Sequence, residues 1–263
     1  MSIEVRTIRD DELVAWLDAM STGFLDRPDI AKIVEEVRPH WDVARVWGAF
    51  ENDRIVGTLR SWGGELTVPG CGRLASSSVT GVGVLPTHRR RGILGRLAAA
   101  EHDAARARGE VVAMLYASEY PIYARFGYGP ATTATTWTLD AKATGFGTSV
   151  AAGSIELVPT DETGEAMARD VFEAWRVRQP GEIWRRPITW LADFGRGGTG
   201  WGPPWKGFVV VHRDARGTVD GYARYHVEEK WEQRMPRSAL LVDDLHALTD
   251  EAYAGLWQFL VSM

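Results

Sequence analysis

The most constraining stretch of the chain is residues 79–97, Val-Thr-Gly-Val-Gly-Val-Leu-Pro-Thr-His-Arg-Arg-Arg-Gly-Ile-Leu-Gly-Arg-Leu. Its β-branched first part, Val79 to Val84, is of strand type. A tight basic turn follows, His88 to Gly92. Apolar residues then recur at helical spacing: Ile93, Leu94, Leu97, Ala98, Ala104 and Ala105. A strand that feeds a helix this way must return through a right-handed crossover to a parallel strand. The turn itself is an anion site in the making. Free N–H groups of a first helical turn point outward, and the helix dipole favours negative charge there. Gly92 has no Cβ and lets the backbone come close to an anion, while Arg89, Arg90 and Arg91 add full charge. A phosphate or pyrophosphate is the expected ligand group. The plainer reading is a solvated basic cluster. The strand on one side and the glycine and helix on the other favour the anion site. Neither Gly-x-x-x-x-Gly-Lys-Ser/Thr nor a Gly-x-Gly-x-x-Gly opening a βαβ unit is present, which argues against P-loop and dinucleotide folds.

The rest of the composition narrows the function classes. The 263 residues allow one large domain or two ordinary ones. At 45% hydrophobic and 25% charged, the chain reads as an ordinary soluble protein. A net charge of −5 argues against general nucleic-acid affinity, so the basic patch is local. Cys71 is the single cysteine, which excludes an intrachain disulfide and a cysteine-built metal site. The first residues, Met-Ser-Ile-Glu-Val-Arg, form no apolar signal region, and no run of about 18 apolar residues occurs. The expectation is a cytoplasmic protein with no membrane partner and no metal. Of 12 tryptophans, some must be core, whereas Trp201 and Trp205 sit in a Gly-Trp-Gly-Pro-Pro-Trp loop.

Periodicity predicts helices over 8–22 and 29–38, then strands over 43–50 and 54–62 around Glu51-Asn52-Asp53. A strand running to Leu85, a helix over 92–108 capped by Gly109, and a buried parallel strand from Val111 to Ala117 follow. A short helical turn at 122–126 and a strand at 132–139 complete the first part. The Gly/Ala/Ser/Thr-rich stretch 143–154 reads as a linker between domains at 1–142 and 155–263. Beyond it the pattern partly repeats: a helix at 161–178, strands at 208–212, 219–226 and 240–248, and a helix from Thr249. That last helix opens Thr-Asp-Glu, a good cap whose carboxylates repel phosphate, so the second copy lacks the anion site. A parallel crossover needs a return strand, and none follows the last helix; the expectation is a fragment or a domain completed by another chain.

Arg89-Arg90-Arg91-Gly92-Ile93-Leu94 resembles the acetyl-CoA-binding motif of the GNAT acetyltransferases, Arg/Gln-x-x-Gly-x-Gly/Ala, with Leu94 departing at the last position. Pro86 to Gly92, Ala117-Ser118-Glu119 and Ile122-Tyr123-x-Arg125-Phe126-Gly127-Tyr128-Gly129 resemble the enhanced intracellular survival (Eis) acetyltransferases. The likeness continues through Gly221-Tyr222-Ala223 and the last helix. It implies an α+β fold, an α/β sandwich of tandem GNAT-type domains with a mixed central sheet flanked by helices, the second copy incomplete. It implies acetyl-CoA as cofactor, bound by the first domain alone. That family continues into a third, sterol-carrier-like domain, and a homo-oligomer is the expectation where that part is present.

The resemblance carries roles to particular residues. Backbone groups of Val82 and Val84, with Ser118, would bond the pantetheine arm. Arg89, Arg90, Gly92, Ile93 and Leu94 would hold the pyrophosphate, largely through main-chain N–H groups. Tyr123 matches the family's catalytic tyrosine, the acid that protonates the departing thiolate, with Tyr128 as rival. Plain core packing is the alternative for both tyrosines and both valines. Phe24 and Asp26 match substrate-pocket positions. The family's base lies in the third domain, which leaves Glu119 and Asp26 as acidic candidates here. His88, beside three arginines, is disfavoured as a proton acceptor and is expected to cap or face solvent. The reading is an N-acetyltransferase acting on a cationic, aminoglycoside-like amine or a lysine side chain. The competing reading is a non-catalytic acyl-CoA-binding module; a nucleotide-binding protein is the least favoured.

Overall fold

The computed structural model describes residues 2–141, 152–197, 202–232 and 235–263. Their contacts divide into two compact units. The first runs to Thr132 and takes back Gly181–Ile188. Its elements are β1 (Ile3–Thr7), α1 (Leu13–Gly23), α2 (Ile30–Val37), β2 (Val46–Glu51), β3 (Arg54–Val68), β4 (Gly72–Val84), α3 (Ile93–Ala107) and β5 (Val112–Leu115). The strands form one sheet in sequence order, antiparallel from β1 to β4 and parallel between β4 and β5. That is the mixed sheet and crossover expected from the sequence.

Helices cover both faces. On one, α1 and α2 bring Leu13, Trp16, Leu17, Met20, Ile33 and Val37 against Val46 and Phe50. On the other, Ile93 and Leu97 of α3 pack on Val56, Leu59, Val79 and Leu85. Each fully buried aliphatic side chain contributes roughly 1.5–3 kcal/mol, so these two layers dominate the unit's stability. A polar tie fixes α3 in register with the sheet. Glu101 is completely buried and accepts from Ser77 Oγ of β4, Trp47 Nε1 of β2 and Arg108 Nη2, each at 2.7 Å. A buried charge is tolerable only when so satisfied.

The β3–β4 pair carries the irregularity that matters most. Register passes from Thr58↔Gly83 to Arg60↔Thr80, so β4 spends one residue more than β3 there. This is a β-bulge, and Gly81 sits in it at φ +59. A side chain at Gly81 would be strained and would also strike Trp16, whose ring lies 2.9 Å from a Cβ built there. β5 pairs with β4 only from Ser76↔Val112 to Val79↔Leu115. Past that point the two parallel strands have no further ladder.

The second unit holds β6 (Ser154–Val158), α4 (Glu162–Arg176), β7 (Phe208–Arg213), β8 (Val219–Glu228), β9 (Trp231–Glu232), β10 (Met235–Pro236), β11 (Ala239–Ala247) and α6 (Asp250–Val261). The helix α5 (Pro187–Asp193) begins at the end of the returned segment. The main sheet, β11-β8-β7-β6, is antiparallel throughout. α4 packs Ala168, Val171 and Phe172 on one face, and α6 packs Leu256 and Leu260 on the other. Hairpin, strand and helix thus recur in order, as the sequence pattern implied.

Several expectations need correction. Residues 132–139 form no strand and are exposed, Trp137 at 81%. Threonine-rich alternation fits a pleated surface, but a strand exists only where a neighbour completes its ladder. The parallel strand is shorter than Val111–Ala117 and half-buried, with Val111 exposed. β3 and β4 extend well beyond the expected strands into a long hairpin turned at Gly70 and Cys71, both at positive φ. Residues 43–45 are a 3₁₀ turn, and β6 and α5 had not been anticipated. Most of the expected linker 143–154 lies outside the described residues, as does Trp201; Trp205 is a loop residue whose Nε1 donates to Asp243 at 3.0 Å.

Replacing Glu101 by alanine strands the buried Ser77 hydroxyl together with the partly buried Trp47 and Arg108. We expect a loss of about 3 kcal/mol of folding stability, with Glu101→Gln losing less. Urea denaturation of the three proteins checks this, and wild-type stability in Glu101→Ala would refute it.

Candidate functional site

The turn between β4 and α3 is built by three local devices. A 3₁₀ turn at Pro86–His88 leaves the strand, helped by proline at its start. Arg89 is extended, Arg90 is left-handed at φ +62, and Gly92 is left-handed at φ +74 and caps α3. Left-handed residues in so short a run turn successive N–H groups toward a common concavity, the geometry of an anion nest. The first turn of α3 has no side-chain cap and no acidic residue. Its N–H groups are therefore offered to a ligand or to water.

Glu51, at the end of β2, holds this loop in shape. It accepts from Arg91 Nη2 at 2.6 Å and pairs with His88 Nε2 at 3.0 Å, while His88 Nδ1 lies 2.8 Å from Thr87 Oγ1. Arg91 and His88 together hold the Glu51 carboxyl below the usual carboxylate range. His88 is thus buried and neither caps nor faces solvent. Arg91 is spent on the anchor. Arg89 and Arg90 have no carboxylate partner among the described residues; Arg89 Nε reaches only the Val84 carbonyl, at 3.5 Å.

The backbone beside this turn is open. Leu85 N–H donates to Val56 of β3 at 2.9 Å. Strand groups alternate in direction, so those of Gly83 face β3 and those of Val82 and Val84 face away from it. β5, which would occupy that side, has already stopped pairing at Leu115. Phe24, just past α1, stands over the same place, its ring 3.8 Å from a Cβ built on Gly83. Asp26 is exposed and accepts from the Arg27 N–H at 2.8 Å. Ser118 and Glu119 follow β5 and are exposed.

The two tyrosines separate clearly. Tyr128 hydroxyl lies 3.1 Å from His102 Nε2, and burial, with Glu101 behind it, pushes its phenol up to about 12. Tyr123 is half-buried, edge-on to Tyr128 at 6.0 Å between ring centres, and its hydroxyl has no hydrogen-bond partner among the described residues. Burial and the nearby Glu119 raise its pKa, which keeps the phenol protonated. The sequence expectation did not foresee Glu51 or His102; both act across long separations that no local pattern records. A separate cleft of about 390 Å³, bounded by His102, Arg106, Val111, Phe126 and Tyr128, contains none of the expected ligand-binding residues.

In the second unit the corresponding helix start differs. Thr249 Oγ1 caps α6 by accepting from Ala252 N–H at 3.1 Å, and Asp250 and Glu251 occupy the first turn. That end is closed to an anion.

Two family profiles, each described as an acetyltransferase (GNAT) domain, match residues 4–131 and 176–263. An uncharacterized N-acetyltransferase of Streptomyces griseus is 38% identical over 271 residues, all of this chain and 65% of the relative. The N-acetyltransferase Eis of Mycobacterium tuberculosis is 35% identical over 222 residues, 82% of this chain and 52% of that protein. The crystal structure of Eis1 from Mycobacterium abscessus superposes with a TM-score of 0.81 at 30% identity, over 100% of this chain and 63% of that one. The chain thus spans under two thirds of the length of these relatives.

Gly92→Ala places a Cβ on a left-handed residue. An expected loss of about 1 kcal/mol should appear in thermal or urea unfolding; an unchanged midpoint would show that the turn relaxes without strain.

Proposed function

Because the chain belongs to the GNAT acetyltransferase family, we propose that it transfers an acetyl group from acetyl-CoA to a primary amine, on a cationic small molecule or a lysine side chain. The observation that carries the reading is the open backbone at Val82 and Val84 beside the uncapped, left-handed entrance to α3. An extended chain with amides fits the first, in the manner of an added strand. A pyrophosphate fits the second. The donor set suits acetyl-CoA for that reason, and acetyl-CoA brings the activated thioester.

In this reading residues 1–142 form the working domain and 155–263 a degenerate copy. Val84 backbone and Ser118 hold the pantetheine arm. Arg89, Arg90 and the N–H groups of Gly92, Ile93 and Leu94 hold the pyrophosphate. Val82 N–H donates to the acetyl carbonyl oxygen, where negative charge develops. Phe24 and Asp26 face the incoming amine. The amine must be neutral to attack, and a free lysine-like amine has a pKa near 10.4; Glu119 and Asp26 are the acidic candidates to take its proton. Tyr123 gives its proton to the departing sulfur. Its hydroxyl, without a hydrogen-bond partner among the described residues, supports that role over Tyr128, whose hydroxyl already meets His102.

Tyr123→Phe should lower turnover by about 10²-fold while coenzyme A affinity is kept, measured by thiol release and by calorimetry. A raised pKa keeps the acid form beyond the ordinary phenol value of about 10, so Tyr123 deprotonation should cut activity only above that pH. Normal turnover in Tyr123→Phe would remove the acid assignment. Coenzyme A binding with no transfer to any amine tested would favour a binding module over an enzyme.

A further inference from the structure

A second feature of the first unit has no part in holding acetyl-CoA. Arg60 of β3 is the one charged residue between Ile55 and Trp62, and only 9% of its surface is exposed. Its guanidinium carbon lies 3.7 Å from the centre of the Trp41 ring and 5.2 Å from that of Trp62. Arg186 stands over Trp62 at 3.9 Å. It is brought there by residues 181–184, which pair with the outer part of β3: Thr67 N–H to the Glu182 carbonyl at 2.9 Å and Trp184 N–H to the Glu65 carbonyl at 3.0 Å. Trp16 continues the ladder edge-on to Trp41 at 5.7 Å.

Neither arginine has a carboxylate or hydrogen-bond partner among the described residues, and Arg60 Nε is buried with nothing to donate to. Burial pulls both guanidinium groups down, Arg60 to about 9 and Arg186 to about 10. Cation–π contact offsets part of the desolvation of each charge. It leaves the buried Arg60 Nε with no acceptor among the described residues, and an unsatisfied buried donor is itself costly. A planar oxyanion would complete both forks. The place is telling. Arg60 lies opposite Thr80, the residue before the Gly81 bulge, on the face that α1 covers. The bulge is where the open backbone of β4 begins.

We propose that Arg60 and Arg186, set on the Trp41–Trp62 ladder, bind a carboxylate of the amine acceptor. This rests on the acetyl-transfer reading and narrows its substrate class. The acceptor carries an acid as well as an amine, as a lysine with a free carboxylate does, and is not purely polycationic.

The test compares Nα-acetyl-lysine with its C-terminal amide, which differ at the carboxylate alone. Binding is measured by calorimetry with coenzyme A present, and transfer by thiol release from acetyl-CoA. We expect the acid to bind about tenfold or more tightly than the amide, with kcat/KM favouring it by a similar factor. The preference should fall toward one in Arg60→Gln and in Arg186→Gln. The half-buried Arg186 keeps the test decisive if the Arg60 variant does not fold. Equal affinity for acid and amide, or a preference that survives in Arg186→Gln, would overturn the proposal. Transfer without preference would refute this inference and leave acetyl transfer standing. A binding preference without transfer would do the reverse.

Discussion

One extra residue in β4 sets the conditions for everything around it. Gly81 turns the strand through a conformation that a side chain could not share with Trp16. The bulge bends β4 just past its last pairing with β5 at Val79. Two parallel strands that part leave backbone N–H and C=O groups without a ladder, which a compact sheet does not otherwise allow. The gap is stable because the elements beside it are tied elsewhere: α3 through Glu101 to Ser77 and Trp47, and α1 through the buried Trp16. The opening is thus held from both faces of the sheet, and the basic turn that leads into α3 sits at its mouth.

Around that opening three kinds of recognition are kept apart. Extended backbone in β4 offers hydrogen bonds without charge. The turn at 89–94 offers positive potential from peptide N–H groups and from two arginines that meet no acid among the described residues. The tryptophan ladder offers flat surface and buried cations on the opposite side of the bulge from β5. In the second unit Thr249, Asp250 and Glu251 give the corresponding helix start the opposite electrostatic sign. One chain thus carries two versions of a fold that differ most where a phosphate would be met.

What the sequence disclosed and what it hid follow one physical line. The strand, turn and helix over 79–107 were legible because their determinants are neighbours: β-branched residues, a proline, left-handed Gly92 and an apolar helical stripe. The cap on α6 was legible for the same reason. Pairings across distance were not. Nothing near His88 or Arg91 announces that Glu51 will take both. Nothing near Arg60 announces Trp41 or Arg186, although a charge in the middle of a buried strand is a signal that something must answer it. The run 132–139 failed in the other direction. Its strand propensity is real, but propensity is only permission, and no strand among the described residues pairs with it.

The Glu51 anchor has one further consequence. A loop rich in glycine and arginine ordinarily spends conformational entropy when it closes on a ligand, roughly 1–2 kcal/mol for each residue fixed. Here Arg91 and His88 are already held by a carboxylate from a different strand. The cost of ordering was met during folding, together with the rest of the unit. A phosphate arriving at this turn would find its donors already arranged, so the attraction between them would go into affinity and not into arranging the protein. Of the three arginines in the run, the one that answers Glu51 fixes the turn that carries the other two.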